Sequence, residues 1–275
     1  MLLQRNLILA LLIVIAAAAW GVLVWQQMSM GMAMNTPTMG MRAPLFLTVW
    51  VVMMVAMMFP TAAPMILTFH QVQAGKRARG ETFVATWVFV AAYLLVWSLS
   101  GVLAYAGALA AETIAANAIL SGTTAARIGG MLLIIAGVYQ LSPLKNVCLA
   151  KCRTPMTFIL TSWRDGTWGA VRMGLEHGIF CLGCCWLLFL VLFPLGIMNV
   201  AAMVVITLIV FAEKTLPWGR LAPRATAVAL VAYGAVVIAV PQALPTFPAG
   251  GGMAMPATMQ MPMPMPGSGG APAAQ

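Results

Sequence analysis

The residues with the most chemistry to offer carry sulfur. All five cysteines of the chain fall in two short stretches. The first, RMGLEHGIFCLGCCW, runs from Arg172 to Trp186. On a helix turning about 100° per residue, His177, Cys181, Cys184, Cys185 and Met173 fall on one arc, with Glu176 to one side. The second, KNVCLAKCR, sets Cys148 and Cys152 four residues apart, so a helix puts both thiols on one face. Imidazole and thiolate are metal ligands, and ionisable groups inside an apolar span are costly unless they meet a partner or a cavity. Metal binding is the reading adopted for both groups. A thiol redox relay and plain packing of small buried cysteines are the alternatives. Lys145, Lys151 and Arg153 are expected to lower the pKa of Cys148 and Cys152. A zinc finger is excluded, because no second C-x-x-C accompanies the first.

Methionine is the other sulfur source, with 23 residues. Twelve lie in two segments, MSMGMAMNTPTMGM and MAMPATMQMPMPMP. They are Met28, Met30, Met32, Met34, Met39 and Met41, then Met253, Met255, Met259, Met261, Met263 and Met265. Neither segment has an apolar helical face or the bulk to make a core, so packing does not explain them. A thioether is a soft neutral ligand that selects Cu(I), with Ag(I) as its mimic, over Zn(II), Mg(II) or Ca(II). The M-x-M spacing lets several sulfurs converge on one ion. A third group, Met53, Met54, Met57 and Met58, pairs at four-residue spacing within an apolar run, and Met65 extends it. Pro60 and Pro64 follow, and each removes a backbone donor and leaves a carbonyl unpaired nearby. Ordinary helix packing and a copper relay both fit these intramembrane methionines.

The elements that must position these groups follow from composition. The 275-residue chain is 63% hydrophobic and 7% charged, against about 25% charged in a soluble domain. Seven apolar spans are expected: Leu7–Trp25, Leu45–Thr68, Phe83–Leu109, Ile128–Leu141, Met173–Gly196, Met198–Ala212 and Ala225–Val240. The fourth and sixth are short for a hydrocarbon core of about 30 Å. The fold expected is all-α, a polytopic transmembrane helix bundle. The first span reads as an uncleaved anchor rather than a signal peptide, since no small-residue cleavage pattern follows Trp25.

The net charge of +9 fixes orientation rather than pointing to nucleic acid. With the N-terminus cytoplasmic, twelve of the fourteen Lys and Arg residues lie inside, and Arg42 and Arg127 outside. The C-terminus and both Met-rich segments are then extracytoplasmic. Four regions follow: an anchor over 1–27, a Met-rich loop over 28–44, a helical core over 45–244 and a Met/Pro/Gly-rich tail over 245–275. The cytoplasmic segment Leu144–Arg172 holds Thr154–Trp163, too short to span, which either lies along the surface or re-enters. His70, Tyr139 and Gln140 are weaker polar candidates. Glu213 and Lys214 close the sixth span as structural charges.

Four stretches resemble a bacterial family of predicted metal-binding integral membrane proteins. They are MMVAMMFPTAAPM, GVYQLSPLKNVCLAKCRTP, GLEHGIFCLGCCW, and GIMNVAAM followed later by EK. The resemblance covers about residues 45 to 214 and implies a metal and a multi-pass place in the bacterial cytoplasmic (inner) membrane. The family's methionine after CCW has no counterpart, since Leu187, Leu188 and Phe189 follow Trp186. The function expected is an integral membrane protein that binds Cu(I) and moves it or hands it over. Met segments capture the ion and the His177–Cys181–Cys184–Cys185 face holds it. The alternative is an accessory or metal-loading subunit of a larger complex, such as a copper-dependent membrane monooxygenase. Expected partners are the lipid bilayer, other membrane subunits of a metalloenzyme or a copper chaperone, and no nucleic acid. No Walker A motif and no nucleophile–base arrangement is visible, so an enzyme is the least favoured class.

Overall fold

The computed structural model describes residues 2–30, 37–38, 40–118, 121–216 and 221–246. Ten α-helices account for most of them: α1 (Leu2–Met30), α2 (Ala43–Ala78), α3 (Thr86–Ala118), α4 (Gly122–Tyr139), α5 (Pro143–Arg153), α6 (Pro155–Ser162), α7 (Gly166–Leu190), α8 (Leu192–Leu195), α9 (Val200–Thr215) and α10 (Leu221–Ala239). A 3-10 turn over Pro241–Ala243 follows. No strand occurs among the described residues. Six helical stretches are long and apolar enough to cross a membrane: Leu3–Ser29, Ala43–Ala78, Thr86–Asn117, Gly122–Tyr139, Gly166–Leu195 and Leu221–Ala239. The expected span Met198–Ala212 falls in α9, whose 16 residues are fewer than those of the six.

Local chemistry sets the helix starts. Ser121, Ser142 and Asn199 cap α4, α5 and α9 by accepting from the backbone N–H groups of Thr124, Lys145 and Ala202. Proline stands in the first turn of α2, α5 and α6, where its missing N–H costs nothing.

The centre of the fold is α2. It packs against α1, α3, α6 and α9, and a helix enclosed on several sides is apolar all round. Met53, Met54, Met57, Met58 and Met65 are all buried. The helix runs through Pro60 and Pro64 without a break. Pro60 cannot donate to the carbonyl of Ala56, and that oxygen instead accepts from the indole Nε1 of Trp20 on α1 at 3.1 Å. One of the two carbonyls expected to be free near the methionine stripe is thus taken by α1.

A second packing unit lies beside this one. Here α4 and α10 run antiparallel, with Gly130 and Gly234 at their crossing. A Cβ on Gly234 would sit 2.6 Å from the carbonyl oxygen of Gly130, so only glycine permits the approach. Its buried cluster (Ala126, Leu133, Ala136, Leu187, Val191, Val237 and Leu244) is purely apolar.

Candidate metal centre

Helix α7 carries His177, Cys181, Cys184 and Cys185 into the interior, and all four are buried. Cys181 lies about 22 Å along α7 from its start at Gly166. Met173, also on the expected arc, is buried as well. Glu176 is not part of the cluster, because it turns outward and pairs with Arg172 at 3.0 Å.

Three aromatic rings enclose the imidazole of His177. The ring centroids of Phe89, Tyr93 and Phe158 lie 6.0, 5.6 and 5.5 Å from it. The Nδ1 of His177 is buried and has no hydrogen-bond partner among the described residues. A buried polar atom left unpaired costs about 1–3 kcal/mol unless something else meets it. One turn further on, Cys181 Sγ lies 3.2 Å from the hydroxyl of Tyr93 and 3.1 Å from Lys214 Nζ. Lys214 Nζ also donates to Thr61 Oγ1 at 3.3 Å. Thr61 Oγ1 in turn donates to the carbonyl oxygen of Met58 at 3.0 Å and lies 3.9 Å from Met58 Sδ. Four side chains from three helices therefore link the last paired methionine of α2 to the first cysteine of α7. Cys184 and Cys185 turn their thiols back to the carbonyl of Cys181, at 3.1 and 2.8 Å.

In the α5–α6 segment Phe158 and Ile159 are buried and Met156 and Leu160 are exposed. The segment packs into the bundle beside α7, at the depth of the cysteines. Cys148 Sγ sits over Gly183, where a Cβ would come within 2.8 Å of it. Tyr139, at the end of α4, donates to the carbonyl of Gly183. Cys152 lies beside Cys181 and Cys184. All five cysteines are free thiols, and the structure gathers the two sequence groups at one place.

The expectation that Lys145, Lys151 and Arg153 lower the Cys148 and Cys152 pKa values is corrected. Burial, and the Cys184 sulfur beside it, push the Cys148 thiol up. Hydrogen bonds to Cys181 and Cys184 hold the Cys152 thiol well above its usual range. Two of the three cations are engaged elsewhere: Lys145 binds Glu213 and Gln140, and Arg153 donates to the carbonyl of Leu216.

Tyr93 and Thr61 were not among the residues singled out from sequence, and Lys214 was read there only as a structural charge. Lys214 reads as an interfacial charge at the end of an apolar run. In the last turn of α9 its side chain turns inward to Cys181, while Thr215 beside it is exposed. Among the described residues, no three His, Cys, Asp or Glu side chains form a ready cage for an ion. The donors that do converge are soft: thiols, a buried imidazole and a nearby thioether. That chemistry suits a monovalent coinage ion, which needs few ligands, better than a hard cation.

The other expected ligands divide by position. Met28 is exposed at the end of α1, and Met30 is the last residue of that helix. Met41 is buried beneath Tyr105, whose hydroxyl lies 3.5 Å from its carbonyl oxygen. Met32, Met34, Met39, Met253, Met255, Met259, Met261, Met263 and Met265 lie outside the described residues.

Residues 47–237, more than half of the chain, match the family PpoB2, described as copper chaperone. The chain belongs to this family of copper chaperones. The match takes in α2 to α10 and so includes every residue of the cysteine cluster, while nearly all of the Met-rich sequence falls outside it. No curated protein and no solved structure matches.

Proposed function

We propose that this copper chaperone is a multi-pass protein of the cytoplasmic membrane that receives Cu(I) on extracytoplasmic thioethers and holds it on the His177–Cys181 face for delivery. The observation that carries this reading is the unbroken line of contacts from Met58 through Thr61 and Lys214 to Cys181. Copper is cargo here, not a resident cofactor. The M-x-M segments collect it, and the paired methionines Met53/Met57 and Met54/Met58 offer neutral donors along α2. Cys181, Cys184, Cys185 and His177 then bind it more tightly, since thiolate outcompetes thioether for Cu(I). Rotation of Cys184 and Cys185 away from the carbonyl of Cys181 brings two more sulfurs to the ion. Cys152 and Cys148 form the side from which it is handed on. The gradient favours inward movement or retention.

The positive-inside pattern and six long apolar helices support the membrane location. Delivery to a membrane metalloenzyme, as a loading subunit of a larger complex, is the second reading. The family's description as copper chaperone favours handover to a partner over autonomous transport.

The test is elemental analysis of protein purified in detergent from copper-fed cells. Replacing Cys181→Ser together with Cys184→Ser lowers copper per chain at least fivefold. Unchanged stoichiometry rejects the site. Deleting 253–265 lowers copper only when supply is scarce, and equal loss at high supply assigns the tail another role.

A further inference from the structure

Helices α1 and α3 both pack near α2 but leave a cavity of about 600 Å³ between them. That lies within the range of about 300–1,000 Å³ typical of small-molecule sites. None of its lining residues belongs to the cysteine cluster or to the proposed copper path. Its α2 wall is a single face: Val55, Phe59, Ile66, His70, Gln73 and Arg77 recur at helical spacing. The face changes character along its length. Val55, Phe59 and Ile66 are apolar, and the last two turns carry imidazole, amide and guanidinium. Gln4 of α1 joins the polar end, and Leu11 and Ile15 of α1 line the apolar part.

We propose that this cavity is a binding site for one phospholipid of the cytoplasmic leaflet, with its phosphate at Arg77 and an acyl chain between α1 and α2. The proposal rests on the membrane reading above. Three observations carry it. Protein interiors are close-packed, so an apolar space of this size on a membrane-exposed face is filled by what surrounds it. The cavity has a polar end and an apolar body, as a phospholipid has. Among the described residues that line it, the one Lys or Arg is Arg77, at the polar end, and a cation there selects an anion over a neutral isoprenoid. Arg77 is exposed, stacks on the ring of Phe83 at 5.0 Å and makes no ion pair among the described residues. The Nε2 of His70 supplies a buried donor or acceptor without a protein partner, while its Nδ1 faces Thr86 Oγ1 at 3.2 Å. Gln73 Oε1 accepts from the backbone N–H of Val84, and the phosphate is assigned to Arg77 and His70. The cavity needs α1, which lies outside the residues matched to the family.

The full chain, purified in mild detergent, is examined by native mass spectrometry with parallel copper analysis. The expected result is one phospholipid retained per chain. Arg77→Ala, and separately Leu11→Trp at a half-exposed wall position, each lower lipid occupancy at least fivefold. Copper per chain stays unchanged in both. Any of these results overturns the proposal: no lipid retained, a neutral isoprenoid in its place, a second copy of the chain as the occupant, or equal occupancy in wild type and both variants. Lipid without copper leaves the site standing and removes the chaperone reading, and copper without lipid does the reverse. A chain that is folded and monodisperse without detergent overturns the membrane premise and this site with it.

Discussion

Lys145 and Lys214 are both buried, and both reach into the interior near the end of α9, yet their ammonium groups meet different chemistry. Lys145 pairs with Glu213 at 2.6 Å and with Gln140, joining α5, α9 and the end of α4. Lys214, the next residue after Glu213, points the other way, to sulfur and hydroxyl. A carboxylate partner closes the charge balance and fixes three elements relative to one another. A thiol partner leaves Lys214 without a carboxylate, beside a soft sulfur that is itself a candidate ligand. The comparison separates a charge that holds the fold from one that serves the cargo.

The largest effect is expected where the first pair is cut. Glu213→Gln leaves an uncompensated buried ammonium, and breaking a buried pair on one side costs about 3–5 kcal/mol. Denaturant unfolding in micelles measures it. The double change Lys145→Met with Glu213→Met recovers most of that loss. A single-variant loss below about 1 kcal/mol contradicts the structural role. Lys214→Met removes the charge itself and strands no carboxylate, so its folding cost is about 1–2 kcal/mol, the worth of the hydrogen bonds given up. If it unfolds the protein as readily as Glu213→Gln does, the distinction between the two lysines fails.

A comparable or slightly smaller effect tests the meeting of the two cysteine groups. Gly183→Ala drives a methyl into Cys148 Sγ, an overpacking cost of about 1–3 kcal/mol. Adding Cys148→Ala relieves it, and the double variant unfolds within about 0.5 kcal/mol of Cys148→Ala alone. Additive losses mean that α5 does not pack on α7 as described.

How much of this was readable from sequence depends on the kind of residue. The His177–Cys181–Cys184–Cys185 arc follows from helical periodicity alone, because all four sit on one element. The burial of Met53, Met54, Met57 and Met58 follows from the apolar run that holds them. The link between Cys148–Cys152 and the α7 cysteines does not follow, because it depends on α5 folding back beside Gly183. Lys214 and Tyr93 were unreadable for a related reason. A charge at the end of an apolar run looks interfacial until the packing shows its side chain turned inward to Cys181. One tyrosine among the buried aromatics of α3 has no local signal. Pro60 pointed to a free carbonyl, but only the packing of α1 showed that Trp20 takes it.

The smallest effect lies at the rim. Lys76 on α2 binds Asp165 at the start of α7, and this contact with the indole N–H of Trp163 holds the Asp165 carboxyl below its usual range. A carboxylate with a depressed folded pKa stabilises above its unfolded value, near 4, and loses that contribution as pH falls through the lower folded value. Hydrogen exchange of residues 165–170 is therefore flat between about pH 5 and 8 once corrected for intrinsic rates, and it rises only in acid. Asp165→Asn abolishes that rise, and a change centred near neutrality in the wild type contradicts the assignment.

X-ray absorption at the copper K-edge of the loaded protein tests the central claim most directly. The account predicts a Cu(I) edge with two or three sulfur neighbours, and loss of that sulfur shell in the Cys181→Ser, Cys184→Ser protein. A first shell of nitrogen and oxygen alone, or a chain that retains no copper, contradicts it.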